Sequence, residues 1–204
     1  MRSGLLHGIG TVAICLVTAT AYAQTRWTGA DLPVRVYDLT GQGDDQRRDA
    51  IETAASVMAT AGVRIAWTLC APVASSESAC NMPPQNTERV VRLMQTSPTW
   101  RPQEGVSMGD SVVDRGSQSG VLATVYADRV SWMASRAAVD PAVLLGRAIA
   151  HELGHLLLGS RHTSAGIMRR SWTLNEFRWP RPGDWQFTTE QIAVLGLRRS
   201  GLEK

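Results

Sequence analysis

Three of the chain's four histidines, His151, His155 and His162, fall within twelve residues, in the stretch His151 to Met168, HELGHLLLGSRHTSAGIM. It opens with His-Glu-x-x-His. On an α-helix, positions i and i+4 lie on one face about 6 Å apart, so His151 and His155 can grip one metal ion together. Glu152 falls about 100° further round the axis. That places it beside such a metal rather than on it, where a carboxylate can take a proton from attacking water. Gly159 ends the apolar run Leu156-Leu157-Leu158 and is expected to stop the helix in the αL conformation. His162 follows three residues later, placed to return toward the metal as a third ligand. Neutral imidazoles with a neighbouring base are the groups that metal-assisted hydrolysis needs.

This assembly resembles the metzincin clan of zinc endopeptidases, whose pattern is H-E-x-x-H-x-x-G-x-x-H followed by a Met-turn. The resemblance implies Zn2+ held by His151, His155 and His162, Glu152 as general base, and Met168, six residues beyond His162, as the turn methionine. It implies a peptide or protein as substrate. One departure stands out: three residues separate His155 from Gly159 where the pattern has two, a displacement of about 100° of helix. Either the helix runs one residue longer or the loop absorbs the insertion. Some metzincins place a tyrosine directly after the turn methionine, whereas here Arg169 follows Met168, which leaves Tyr126 as the candidate for an extra oxyanion donor. In metzincins the segment after the Met-turn walls the pocket for the residue following the cut bond. By that resemblance some of Arg169, Arg170, Arg178 and Arg181, interleaved with Trp172 and Trp179, favour acidic side chains or a nearby carboxylate; solvent-facing arginines are the alternative.

Two further readings stay open. Glu176 lies 21 residues after His155, close to the spacing at which thermolysin-like proteins place a third-ligand glutamate, although Pro180 and the nearby tryptophans oppose a long helix there. The other is a non-catalytic exported module braced by zinc. Structural zinc sites usually have four protein ligands, often cysteines, and no fourth ligand is evident.

These groups need a buried helix with a sheet behind it. Asp140 suits an N-cap and Pro141 the first helical position. From Ala142 to Leu158 the helix is apolar nearly all round, which puts it inside the domain between sheet and metal. Upstream, Val34 to Leu39 reads as a strand, and a helix opens at Asp44-Asp45 and stops at Gly62. Val63 to Leu69 reads as a second strand, so the pair is expected to be parallel. Glu88 to Met94 is a third strand. Ser97 to Gly120 is irregular, with room for a short strand at Ser111 to Asp114. Val121 to Tyr126 is the next strong strand and the candidate edge for an extended substrate. Thr188 and Gln191 form a capping box, with Phe187 and Ile192 as staple, at the start of a final helix. The expectation is an α+β, metzincin-like (zincin) domain: a twisted mixed sheet of about four to five strands, a crossover helix, the buried zinc-binding helix and a C-terminal helix.

The N-terminus reads as an address. Arg2, the apolar run Ile9 to Val17 and the cleavage site Ala21-Tyr22-Ala23 make residues 1–23 a signal peptide, with cleavage after Ala23 leaving Gln24 first. The run is too short to span a membrane, so stable insertion is not expected. Ile14 before Cys15 argues against a lipoprotein box. Residues 24–204 then form a single domain, secreted or periplasmic and expected to be a monomer. With Arg2 removed the chain carries 20 basic and 18 acidic side chains, and Lys204 is its only lysine. That mild balance gives nucleic-acid binding no support. Cys70 and Cys80 are the only cysteines left, and an exported chain makes a local disulfide of such a pair. The alternative, Cys80 as a thiolate blocking zinc, is disfavoured because no propeptide precedes it.

Overall fold

The computed structural model describes residues 31–41, 43–70, 79–97, 99–101 and 107–200. Residues 1–23, read above as a signal peptide, Gln24 and Lys204 lie outside them. In chain order the elements are β1 (Asp31–Asp38), α1 (Asp44–Thr60), β2 (Arg64–Cys70), a 3-10 turn (Ala79–Asn81), β3 (Arg89–Met94), β4 (Gly109–Asp114), β5 (Ser119–Tyr126), α2 (Ala127–Ala137), α3 (Pro141–Leu158), α4 (Leu174–Arg178) and α5 (Thr189–Ser200). The α+β expectation holds.

The five strands lie in the order β2-β1-β3-β5-β4. β1 pairs in parallel with β2 and β3, and β3 with β5, while β4 runs antiparallel to β5 at the edge. Period-two alternation fixes which face is buried. Leu32, Val34 and Val36 of β1, Val91 and Leu93 of β3, and Ala123 and Val125 of β5 are at most 1% exposed. Against this face lie α1 and α3. α3 is the core helix, with Leu144, Leu145, Ile149, Leu153 and Leu156 wholly buried. Its start is fixed as the sequence implied: Pro141 opens the helix and the Asp140 carboxylate accepts from the Ala142 N–H at 2.7 Å. At the other end of the chain, the Gln191 side chain accepts from the Thr188 N–H at 2.9 Å, the expected box at the head of α5.

Three expectations are corrected here. Val121 to Tyr126 is not an edge: β5 sits between β3 and β4. The edge on that side is β4, which begins at Gly109, two residues before the short strand read from the sequence. α2 was not anticipated, although Val130, Met133, Ala134 and Ala137 recur at helical spacing and are buried. Its residues follow a strand without a break, and alanines and two serines dilute the pattern.

The Cys70–Cys80 disulfide forms, with Cα atoms 5.5 Å apart. The segment that begins at Cys80 is tied to β1 by hydrogen bonds. Tyr37 donates its hydroxyl to the Cys80 carbonyl at 2.8 Å, and Arg35, itself paired with Glu88 at 2.8 Å, donates to the Met82 carbonyl at 2.6 Å. Among the described residues no helix is long and apolar enough to cross a membrane.

Candidate metal centre

His151 and His155 leave α3 on one face, one turn apart, and each ring is oriented by the backbone. His151 Nδ1 lies 2.8 Å from the Ile167 carbonyl, and His155 Nδ1 lies 2.9 Å from the Gly159 carbonyl. A carbonyl only accepts, so each Nδ1 carries the proton and each Nε2 is left with a bare lone pair. The Nε2 atoms face one another. His155 Nε2 is 3.1 Å from His151 Nε2 and 3.2 Å from His162 Nε2. With no proton to share, the lone pairs of His151 and His155 repel unless a cation lies between them. Four ligands at ~2.05 Å around a tetrahedral zinc stand ~3.3 Å apart. The donor set therefore fits a zinc-sized ion, and three imidazoles leave one position open. Burial lowers the basicity of all three: His151 falls to about 4, and His155 and His162 shift in the same direction. They are neutral, the form a metal requires.

The extra residue before Gly159 is carried by the helix. α3 runs through Leu158, and the Gly159 N–H still donates to the His155 carbonyl at 3.0 Å. Gly159 is not αL as expected. Its φ of 97° and ψ of −176° lie in extended, glycine-only territory. That geometry turns its carbonyl back onto His155 and lets the chain reach His162.

Met168 is wholly buried in the turn behind the histidines. Thr163 donates to the Met168 carbonyl at 3.0 Å, and the adjacent Ile167 carbonyl holds both His151 and, at 3.3 Å, Trp172 Nε1. A Cβ on Gly154 would overlap the Met168 sulfur, so the helix has a gap where the methionine sits. Trp172 meets His151 edge-on at 5.5 Å and stands against Trp185 and Phe177.

Glu152 is 5% exposed and lines the same cleft, about 430 Å³, as the three histidines. Its Oε2 accepts from Ser111 Oγ at 2.6 Å. β4 can pass this close because Gly109 has no side chain; a Cβ there would lie 2.6 Å from Glu152 Oε1. Burial raises the Glu152 carboxyl to about 7, against the opposing Ser111 hydrogen bond and with a smaller push from Asp110. Ser111 and Gly109 were not singled out in the sequence, since neither is recognisable as a partner until the antiparallel strand is laid over α3.

The other named residues fall elsewhere. Glu176 caps α4 through Thr173 and pairs with Arg169 at 3.1 Å, so it is not brought to the histidines. The short α4 ends at Arg178, well short of the second helix that a thermolysin-like ligand uses. Tyr126 is not among the cleft residues. Its hydroxyl bonds Asp110, which raises its pKa, and Arg129 stacks on its ring at 4.0 Å. Cys80 is in its disulfide and so holds no thiolate.

Fold and histidine cluster together define a metzincin-like domain. The chain is similar to archaemetzincin from Methanopyrus kandleri, whose crystal structure superposes with a TM-score of 0.56 at 15% sequence identity, covering 83% of this chain and 96% of that one. No protein-family model and no curated protein matches the sequence. At this identity the likeness is one of fold.

Proposed function

We propose that this chain is a zinc-dependent peptidase, exported by its N-terminal signal and acting outside the cytoplasm. The observation that carries the reading is the convergence of three neutral imidazole nitrogens beside a buried carboxylate on one cleft. His151, His155 and His162 would hold the ion. Zinc bound there supplies Lewis acidity, which polarises the carbonyl under attack and makes water nucleophilic near neutral pH. Glu152 takes the proton of the attacking water and hands it to the departing amine. Its desolvated position keeps its basicity high enough for the first transfer, and Ser111 holds the carboxylate in line. The edge of β4, whose Gly109, Asp110 and Ser111 line the cleft, is where an extended peptide adds itself as a strand. Met168 and the Ile167 carbonyl set the floor and the His151 ring.

A brace-only zinc site has no use for a carboxylate held beside the cluster by a hydroxyl. The test is digestion of casein by the purified mature protein before and after chelation and zinc return. Cleavage that stops with chelator, returns with zinc and vanishes in Glu152→Gln supports the proposal. Zinc binding without cleavage in any buffer returns the chain to the non-catalytic reading.

A further inference from the structure

Among the described residues, the cleft carries one uncommitted cation. Of the arginines after Met168, Arg169 is held by Glu176 at 3.1 Å and by Asp184 at 3.2 Å. Arg178 and Arg181 are not among the residues that line the cleft. Arg170 lines it, is exposed, and has no carboxylate partner among the described residues. His162 lines the same cleft, and the Arg170 charge bears on it. Ser160 and Ser171 line the cleft as well, both exposed. The cleft's own acids are spoken for: Glu152 by Ser111, and Asp110, on the β4 rim, by the Tyr126 hydroxyl. An incoming carboxylate therefore finds the Arg170 guanidinium fork open, with hydroxyl donors elsewhere on the cleft lining and, among the described residues, no cleft acid competing for it.

We propose that Arg170, with Ser160 and Ser171 on the lining of the same cleft, is a carboxylate-recognition subsite in the cleft that holds the three histidines. The favoured substrates are then peptides that present a carboxylate there; in speaking of substrates this rests on the peptidase reading. Two sources supply that group: a Glu or Asp side chain near the cut bond, or the peptide's own C-terminus.

The experiment uses fluorogenic peptides identical except for Glu or Gln at each position flanking the cut bond, each with a free or an amidated C-terminus. The same peptides are titrated by fluorescence anisotropy onto zinc-loaded Glu152→Gln protein. With the wild type, kcat/KM is expected to favour the carboxylate-bearing peptide about fivefold, the scale of a partly exposed ion pair. Arg170→Gln should erase that preference, Arg170→Glu should reverse it toward the Gln or amidated peptide, and Arg178→Gln should leave it alone. If amidation rather than the Glu-to-Gln change removes the advantage, the group read is the terminal carboxylate. Equal cleavage of all the peptide forms overturns the subsite and leaves the peptidase reading standing. No cleavage, but carboxylate-selective binding that needs Arg170, sinks the peptidase reading and keeps the subsite. Binding with no such selectivity overturns the subsite.

Discussion

The three histidines are held unequally. His151 and His155 each give their Nδ1 proton to a backbone carbonyl, whereas His162 is exposed and is met by the others only through its Nε2. His162→Ala should therefore leave the metal-free protein within about 0.5 kcal/mol of wild type while sharply lowering zinc affinity. Urea unfolding and competition with a chromophoric chelator measure the two effects, and a large stability loss would speak against an open third ligand. Titration separates His151 from Glu152. The folded-state pKa of His151 is lowered to about 4, so its contribution to stability is present above its usual 6.5 and is lost as pH falls toward 4. Glu152 is raised to about 7, so its contribution is present below about 4.5 and is lost as pH rises toward 7. Each shift is worth about 3 kcal/mol. In the metal-free wild type they oppose each other between pH 4.5 and 6.5. Glu152→Gln removes one of them, so its stability should climb by about 3 kcal/mol from pH 4 to 6.5. Equal pH profiles for the two proteins in urea melts would contradict the burial of this carboxyl. At this scale the sequence was most legible, because chemistry restricts which residue types can serve: type and spacing brought out His151, His155 and His162, which the fold draws together, with Glu152 beside them, and the resemblance pointed to Met168. Ser111 and Gly109 were not, since a serine and a glycine acquire meaning only from what they face.

Among the elements, β4 and the chain leaving α3 matter most for the site. Gly109→Ala would push a methyl into Glu152, 2.7 Å from its Cγ. The carboxylate has to move, so zinc content should be retained while kcat falls at least about tenfold. Unchanged kcat would show that β4 does not set the base. Gly159→Ala places a side chain at a φ of 97° against Gln118, a strain of about 1–3 kcal/mol. Differential scanning calorimetry should show a lower Tm, with zinc affinity reduced because the carbonyl that orients His155 shifts. The crossover β1-α1-β2 and the head of α3 were legible because periodicity and caps are local signals. β4 was only half seen: a short, antiparallel edge strand with polar and glycine residues has no hydrophobic alternation of its own. The identity of the edge was misassigned for the same reason, since strand order is a property of the assembled sheet and a strongly apolar strand such as β5 belongs inside it.

The molecule as a whole shares its fold with archaemetzincin at 15% identity over 83% of the chain. A core asks only for apolar volume at the right period, whereas a metal asks for particular atoms, which is why the histidines were readable in the sequence. The disulfide belongs to this scale. It closes a ten-residue separation between β2 and the loop covering the outer side of β1, far in sequence from α3. Cys70→Ala with Cys80→Ala should cost about 2–3 kcal/mol and leave the zinc stoichiometry of the folded protein unchanged. Chemical denaturation with metal analysis checks both, and loss of zinc in a still-folded variant would tie the loop to the centre. The central claim, that three imidazoles and one carboxylate make a single zinc-dependent catalytic unit, is tested most directly by titrating zinc into chelator-stripped protein while following peptide cleavage. The account predicts a rate that rises from zero and breaks at about one equivalent of zinc, with Glu152→Gln taking up the same equivalent in silence. Cleavage that survives complete zinc removal, or a Glu152→Gln protein as active as wild type, would contradict it.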